Sequence, residues 1–353
     1  MYDKIRAGKY LYDNNGKLVQ AHGGSMLYHD GKFWFYGENK ENVTGRATGE
    51  NCKIWHGGVR LYSSVDLYNW VDEGVILVDK NDRKSPLFPE CIMDRPHIIY
   101  NEKYSKFVLW AKIAGIPGES GSGFDNGYFA VYVSDKITGG YTLVNKVTKY
   151  PAGDFDLVRD NGEAYIIFEK PHTEMLVARL TDDYSDICGE ATSHLPYPYP
   201  PFVREAPAYF CRGGRKFLLT SGTTGYFPNA TETAEIIDFD GEWKELGKTC
   251  RGDEENTSFR TQFSSVFRHP LKKDLYIALG DRWLTDLPRD ISDVGKIFET
   301  AFSGKGEFDY KKLVSYSDDN TSLATYVWLP VKFDGDGTPY IEWLDEWRIE
   351  DYD

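Results

Sequence analysis

A carboxylate at the start of a strand, with apolar neighbours around it, can keep its proton near neutral pH and give it away. The phrase Arg204-Glu205-Ala206-Pro207-Ala208-Tyr209-Phe210 has that form. Ala206, Pro207 and the aromatics behind them supply surroundings that raise a carboxyl pKa. A plain surface pair of Arg204 with Glu205 is the alternative, although neighbouring strand residues point to opposite faces. Arg95, in Asp94-Arg95-Pro96, is a natural clamp for a carboxylate or a hydroxyl. His22, before Gly23-Gly24, reads equally as a hydroxyl ligand at a channel floor or as a buried histidine propping that backbone. The seven histidines form no HxH or HExxH pattern, so no metal site and no cofactor is expected. Asp334-Gly335-Asp336-Gly337 lacks calcium ligands at the required spacing and predicts a hairpin turn.

Such residues need strands to carry them to one place, and the chain is built of strands. Helical periodicity is nearly absent. Short apolar or alternating runs are separated by His29-Asp30-Gly31-Lys32, Asp160-Asn161-Gly162 and Arg212-Gly213-Gly214. Asp-Gly, Asn-Gly and Gly-Gly mark hairpins because the favoured two-residue turns need φ > 0. The runs group into modules beginning at Ser25, His97, Asp156, Ala208 and Ser264. Their starts lie about 50–75 residues apart, a spacing that suits four-stranded propeller blades. The predicted fold is all-β, a five-bladed β-propeller in one domain over residues 1–353, with Thr338–Trp343 as the closing strand. A β-sandwich is usually nearer a third of this length.

Composition narrows the partners. A net charge of −14 argues against nucleic acid, which needs clustered Lys and Arg. No apolar run approaches membrane-span length, so no membrane partner is expected. The opening residues Met1–Arg6 have no apolar core of a signal peptide. Together with five unpatterned cysteines (Cys52, Cys91, Cys188, Cys211 and Cys250), this predicts reduced thiols and a cytoplasmic protein, or a secreted one whose leader is not in this sequence. Aromatics make up 15% of the chain, which suits rings stacking on sugar faces or, equally, aromatic strands filling a propeller.

Ala21-His22-Gly23-Gly24, Tyr36-Gly37-Glu38, Tyr62–Trp70, Asp94-Arg95-Pro96 and Gly153–Leu157 occur in that order. Arg204–Pro207, Thr220–Gly225, Thr261-Gln262 and Gly280–Trp283 follow. In this series the chain resembles glycoside hydrolase family 43, and within it the exo-β-1,3-galactosidase (galactan 1,3-β-galactosidase) subgroup, from about residue 20 onward. The resemblance implies a five-bladed propeller in which Glu205 is the general acid. It implies that Asp154 orients that acid and holds its pKa up by like-charge repulsion. Asp156 shares the face of Asp154, so the assignment could slip by two residues, and either Asp could instead cap a turn. His22, Glu38, Asp94, Arg95, Thr223, Gly225 and Trp283 are the substrate contacts that the matching phrases imply.

Three departures stand out. The usual first-blade Asp is absent from Gln20-Ala21-His22-Gly23-Gly24. The subgroup shares that absence, and there a fifth-blade Gln is proposed as the base through its imidic-acid tautomer. Gln262 matches that position. A Gln that merely positions water or a hydroxyl is the competing reading. Asp94 stands where the subgroup carries Glu, and Phe168-Glu169-Lys170-Pro171-His172 lacks the subgroup's Asn.

The expected activity is exo-acting, inverting release of terminal β-galactosyl residues from β-1,3-galactan-type oligosaccharides of plant origin. Inversion requires an acid and a base on opposite faces of the sugar, about 6.5–9.5 Å apart. The alternatives are an α-L-arabinofuranosidase, β-xylosidase or β-galactofuranosidase of the same family, and a non-catalytic glycan-binding propeller. Binding alone has no need of both Glu205 and Asp154.

Overall fold

The computed structural model describes residues 2–43, 54–116 and 126–353. Five sheets form the blades of a β-propeller, antiparallel throughout except for the short outer strand of blade 5. After a short β1 (Ile5–Arg6), blade 1 runs β2 (His22–His29), β3 (Lys32–Glu38), β4 (Val59–Ser64) and β5 (Val71–Leu77). Blade 2 is β6 (Ile92–Asn101), β7 (Lys106–Ala114), β8 (Tyr128–Ser134) and β9 (Thr142–Val147). Blade 3 is β10 (Phe155–Asp160), β11 (Glu163–Lys170), β12 (Glu174–Leu180) and β13 (Ile187–His194). Blade 4 is β14 (Arg204–Arg212), β15 (Arg215–Gly222), β16 (Glu232–Ile236) and β17 (Trp243–Lys248). Blade 5 takes β18 (Cys250–Arg251) at its outer edge and then β19 (Gln262–Arg268), β20 (Tyr276–Arg282), β21 (Thr325–Phe333) and β22 (Pro339–Glu342). A last short strand, β23 (Glu346–Trp347), pairs with β1.

The innermost strands β2, β6, β10, β14 and β19 neighbour one another around the central axis. Apolar clusters fill the wedges between blades. Trp34 and Leu61 of blade 1 meet Leu109 and Ile113 of blade 2, and Phe129 of blade 2 meets Phe155 and Phe168 of blade 3. Ile167 and Val177 meet Leu218 and Ile236, while Phe210 and Phe217 meet Phe263 and Leu329. Phe35 and Trp70 then close the ring against Leu279 and Trp328. Edge-to-face rings such as Phe129 on Phe168, 5.5 Å apart at 87°, recur in these wedges. Much of the aromatic excess is therefore wedge filling.

The predicted modules coincide with the three inner strands of each blade. The outer strands β5, β9, β13 and β17 were not among the modules, because most of their residues are half-buried or exposed and the Val75–Leu77 run of β5 follows directly on Asp72-Glu73-Gly74. Thr338–Trp343 does not close the ring by itself. Its strand β22 completes blade 5, while the N-terminal segment straps across, with Gly8 N donating to Tyr326 O at 2.8 Å and Ala7 N to Asp345 O at 3.1 Å. Asp334–Gly337 forms the β21–β22 turn, where Gly337 N donates to Asp334 O at 2.9 Å. Two helices break the expectation of almost none: α1 (Val294–Phe302) and α2 (Tyr310–Val314) lie between β20 and β21. At nine and five residues they are too short to register as a period. Cys91, Cys188, Cys211 and Cys250 are free thiols, and Cys52 lies outside the described residues.

Candidate active site

Four innermost strands carry a register shift close to their start. The shifts fall between His22 and Ser25, Asp94 and His97, Glu205 and Ala208, and Phe263 and Ser265. At three of them a residue adopts the left-handed region: Gly23 (φ 57°), Arg95 (φ 51°) and Ala206 (φ 49°). Such bulges re-aim side chains, and strained φ values in non-glycine residues are kept where surroundings over-determine them. Pro96 and Pro207 directly follow the strained residues, where no ladder hydrogen bond needs their missing N–H. The bulges turn Glu205 and Arg95 to one end of the channel. Arg204, its neighbour on the strand, points the other way and donates to Thr220 and Ala230, so no Arg204–Glu205 surface pair forms.

A cavity of about 510 Å³ opens at that end. Glu38, Asp94, Arg95, Asp154, Glu205 and Gln262 line it, with Thr223, Gly225 and Trp283. Nine of the ten residues singled out in the sequence therefore meet there. His22 does not. It is buried, its Nδ1 2.8 Å from Asp281 Oδ1, and its ring stacks on Tyr326 at 4.8 Å, which is the propping role. Asp156 is also withdrawn, accepting from the backbone N–H groups of Tyr209 and Leu157, both at 2.8 Å. A larger cavity of about 730 Å³ lies beneath the N-terminal strap, but its Glu346 is taken up by Lys4 at 2.7 Å.

The charges inside the carboxyl-lined cavity are strongly coupled. Burial favours the neutral form of Asp154, yet Arg95 and Lys112 outweigh it and hold the carboxyl below its usual range. Arg95 reaches Asp154 Oδ2 at 2.8 Å, and Lys112 lies 3.5 Å from Oδ1. Glu205 is driven the other way. Burial, then the negative charges of Asp154 and Glu169, raise it well above the usual carboxyl range. Glu38 is pushed up to about 7 by burial, against the pull of Lys40 at 2.6 Å. One carboxyl is thus held ionised beside another held protonated, the division of labour that acid catalysis uses.

Gln262 has every hydrogen-bonding position filled. Its amide nitrogen donates to Glu205 Oε1 and Ser221 Oγ, both at 3.0 Å. Its oxygen accepts from Arg95 Nη2 and from Trp283 Nε1, the latter at 3.0 Å. Arg and Trp can only donate, so the oxygen must face them. That is the ordinary amide. An imidic acid would turn an O–H toward two donors, so this arrangement does not hold the tautomer expected from the resemblance. Glu205 Oε1 accepts from Gln262, which leaves Oε2 as the carboxyl oxygen to carry a proton.

The model of Glycosyl hydrolases family 43 matches residues 47–282, well over half of the chain. The chain belongs to that family. Two solved family 43 β-1,3-galactosidases are each 27% identical to it with a TM-score of 0.76. One is covered over 65% of its length by the whole of this chain; the other, solved with galactodeoxynojirimycin, is covered over 100% by 98% of this chain. An exo-β-1,3-galactanase from Phanerochaete chrysosporium, solved with β-1,3-galactotriose, shares the fold at 20% identity and a TM-score of 0.74, over 98% of this chain and 68% of its own. No curated protein sequence matches.

This family 43 chain also brings groups to the cavity that its sequence did not announce. Glu169 was noted only within a phrase that lacks the subgroup's Asn, yet it lines the cavity and follows directly on the β10–β11 register, its N–H donating to Asp154 O at 2.8 Å. Burial and the charge of Asp154 push it up to about 7. Register with Asp154 was the signal that could have found it. Lys112 and Trp55 also line it: Trp55 Nε1 donates to Asp94 Oδ1 at 2.6 Å, and Lys112 lies 3.7 Å from Asp94 Oδ2. Among the described residues no group of His, Cys, Asp and Glu is arranged to hold a metal ion, and no helix is long and apolar enough to cross a membrane.

Proposed function

We propose that the protein is an inverting glycosidase that releases a terminal β-galactosyl residue, of the β-1,3-galactan type, from oligosaccharides, with Glu205 as general acid. The observation that carries this reading is the set of Glu205, Asp154 and Gln262 in one cavity of a chain alike, end to end, to two β-1,3-galactosidases. Glu205 Oε2 gives its proton to the departing oxygen as the glycosidic bond breaks. Asp154 stays ionised between Arg95 and Lys112 and keeps the acid protonated until that moment. Gln262 fixes the rotamer of the acid through Oε1. The proton of the attacking water goes to a carboxylate on the blades opposite blade 4, for which Glu38 and Asp94, lining the same cavity from blades 1 and 2, are the candidates. Glu38, near 7, titrates where a general base works best.

A second reading keeps this chemistry and changes the terminal sugar. Its support is Asp94, shorter than the Glu expected there and drawn back onto Trp55. Hydrolysis of β-galactosides, α-L-arabinofuranosides and β-xylosides, with β-1,3-galactobiose alongside, separates the two. Release of galactose with an inverted anomer by NMR supports the first. Faster release of arabinose or xylose replaces it with the second, and no hydrolysis of any substrate would leave only a glycan-binding propeller.

A further inference from the structure

Residues 283–324 lie beyond the family match, and blade 5 does not need them, since β20 and β21 pair continuously from Arg282↔Thr325 to Tyr276↔Val331. They form α1 and α2 and build a small core of their own, where Val294, Phe298 and Leu313 pack on Phe227 of blade 4. Other aromatics of the insertion stay out of that core. Phe302, Phe308 and Tyr310 are 41%, 40% and 41% exposed, and all three line the same cavity as Glu205. Exposed large aromatics gathered in one place mark a surface that something covers.

Continuity with the carboxyl floor identifies the occupant. The bond to be cut must reach Glu205, so the sugar occupies the buried floor and the group attached to it lies at the mouth. There Phe298, Phe302 and Phe308 are arranged as a wall: Phe298 and Phe302 lie parallel at 6.3 Å, and Phe308 meets Phe298 edge-on at 5.2 Å. His172 of blade 3 packs edge-on against Phe302 at 5.0 Å, and Pro171 lines the cavity with it. The phenyl rings and Pro171 bury the most apolar area on a flat hydrocarbon leaving group, with the polar tips of His172 and Tyr310 beside them.

We propose that the α1–α2 insertion is an apolar leaving-group subsite, which gives the enzyme a second substrate class: glycosides of aromatic or hydrocarbon alcohols. This rests on the glycosidase reading but not on which sugar binds the floor. Hydrolysis proceeds as for any O-glycoside: the bond from the anomeric carbon to the leaving oxygen breaks as Glu205 protonates that oxygen, water forms the new C–O bond, and the water's proton goes to the base carboxylate.

The test compares 2-phenylethyl with methyl glycosides of galactose, arabinofuranose and xylose. Both alcohols are unactivated leaving groups, so the ratio of their kcat/KM values reports binding at the mouth rather than leaving-group acidity. For whichever sugar is released, the 2-phenylethyl glycoside is expected to exceed the methyl one by about tenfold or more. Phe302→Ala and Phe308→Ala together are expected to bring that ratio near unity, and Phe302→Ala alone, at an exposed position, to lower it partway. A wild-type ratio within about twofold of unity, or a ratio unmoved in a variant that melts like the parent, overturns the proposal while the glycosidase reading stands. If none of the six releases sugar while β-1,3-galactobiose is hydrolysed, the subsite is overturned and the glycosidase reading stands; if the disaccharide is inert as well, both fall.

Discussion

At Glu205 burial and the charge of Asp154 act together to favour the protonated carboxyl, which bears on stability as well as on the proposed catalysis. Its folded pKa lies above the unfolded value of about 4.3. The stability of the neutral form is complete below that value and is lost as pH rises through the folded one. Gln cannot lose a proton, and its oxygen can still accept from Gln262. Glu205→Gln is therefore expected to melt higher than the parent at pH 8 and to converge on it at pH 4; a variant that melts lower at pH 8 would contradict the assigned direction. Gln262 calls for a different measurement. Gln262→Ala removes a donor to Glu205, so the alkaline limb of the rate profile should move to higher pH. The rate should fall on the order of 10²-fold through misplacement of the acid, and azide should not restore it. Rescue by azide would instead show that a base had been lost. Glu205 and Asp154 were legible in the sequence because each stands in a distinctive phrase. Glu169 was not, because its importance comes from facing Asp154 across a ladder.

The bulges are the elements that make the site. Four of the five inner strands slip register near their start, which moves strand-opening residues toward the channel. In the sequence they show only as Gly-Gly, Arg-Pro and Ala-Pro pairs, since an alternation pattern does not say where one residue has been inserted. Gly24 shows how tightly blade 1 closes over its bulge: a Cβ there would stand 1.8 Å from Tyr36 O and 2.6 Å from Gly37 Cα, both backbone atoms. Gly24→Ala is expected to cost roughly 3 kcal/mol, read by chemical denaturation. A loss within a few tenths would mean that the strand pair can spread. Strands β5, β9, β13 and β17 and helices α1 and α2 escaped the sequence reading for another reason. The strands face solvent along much of their length, and the helices are shorter than the window over which a period can be seen.

As a whole molecule the protein is a ring of blades with a cavity at one end, and its ring architecture was the most legible level. Five similar modules set the blade number, and the wedge clusters account for much of the aromatic excess. The strap that joins the N-terminal segment to blade 5 was hidden, because its pairing spans residues more than 300 apart. The ring gathers carboxyl groups from blades 1 to 4 around one cavity, and the proposed function rests on one of them giving up a proton. The decisive measurement is hydrolysis by Glu205→Gln of β-1,3-galactobiose and of 2,4-dinitrophenyl β-galactoside. The disaccharide needs a proton on its leaving oxygen and should be slowed by about 10²–10⁴-fold. The dinitrophenolate leaves without one, so its hydrolysis should be slowed far less. Equal slowing of both substrates, or of neither, would show that Glu205 is not the acid.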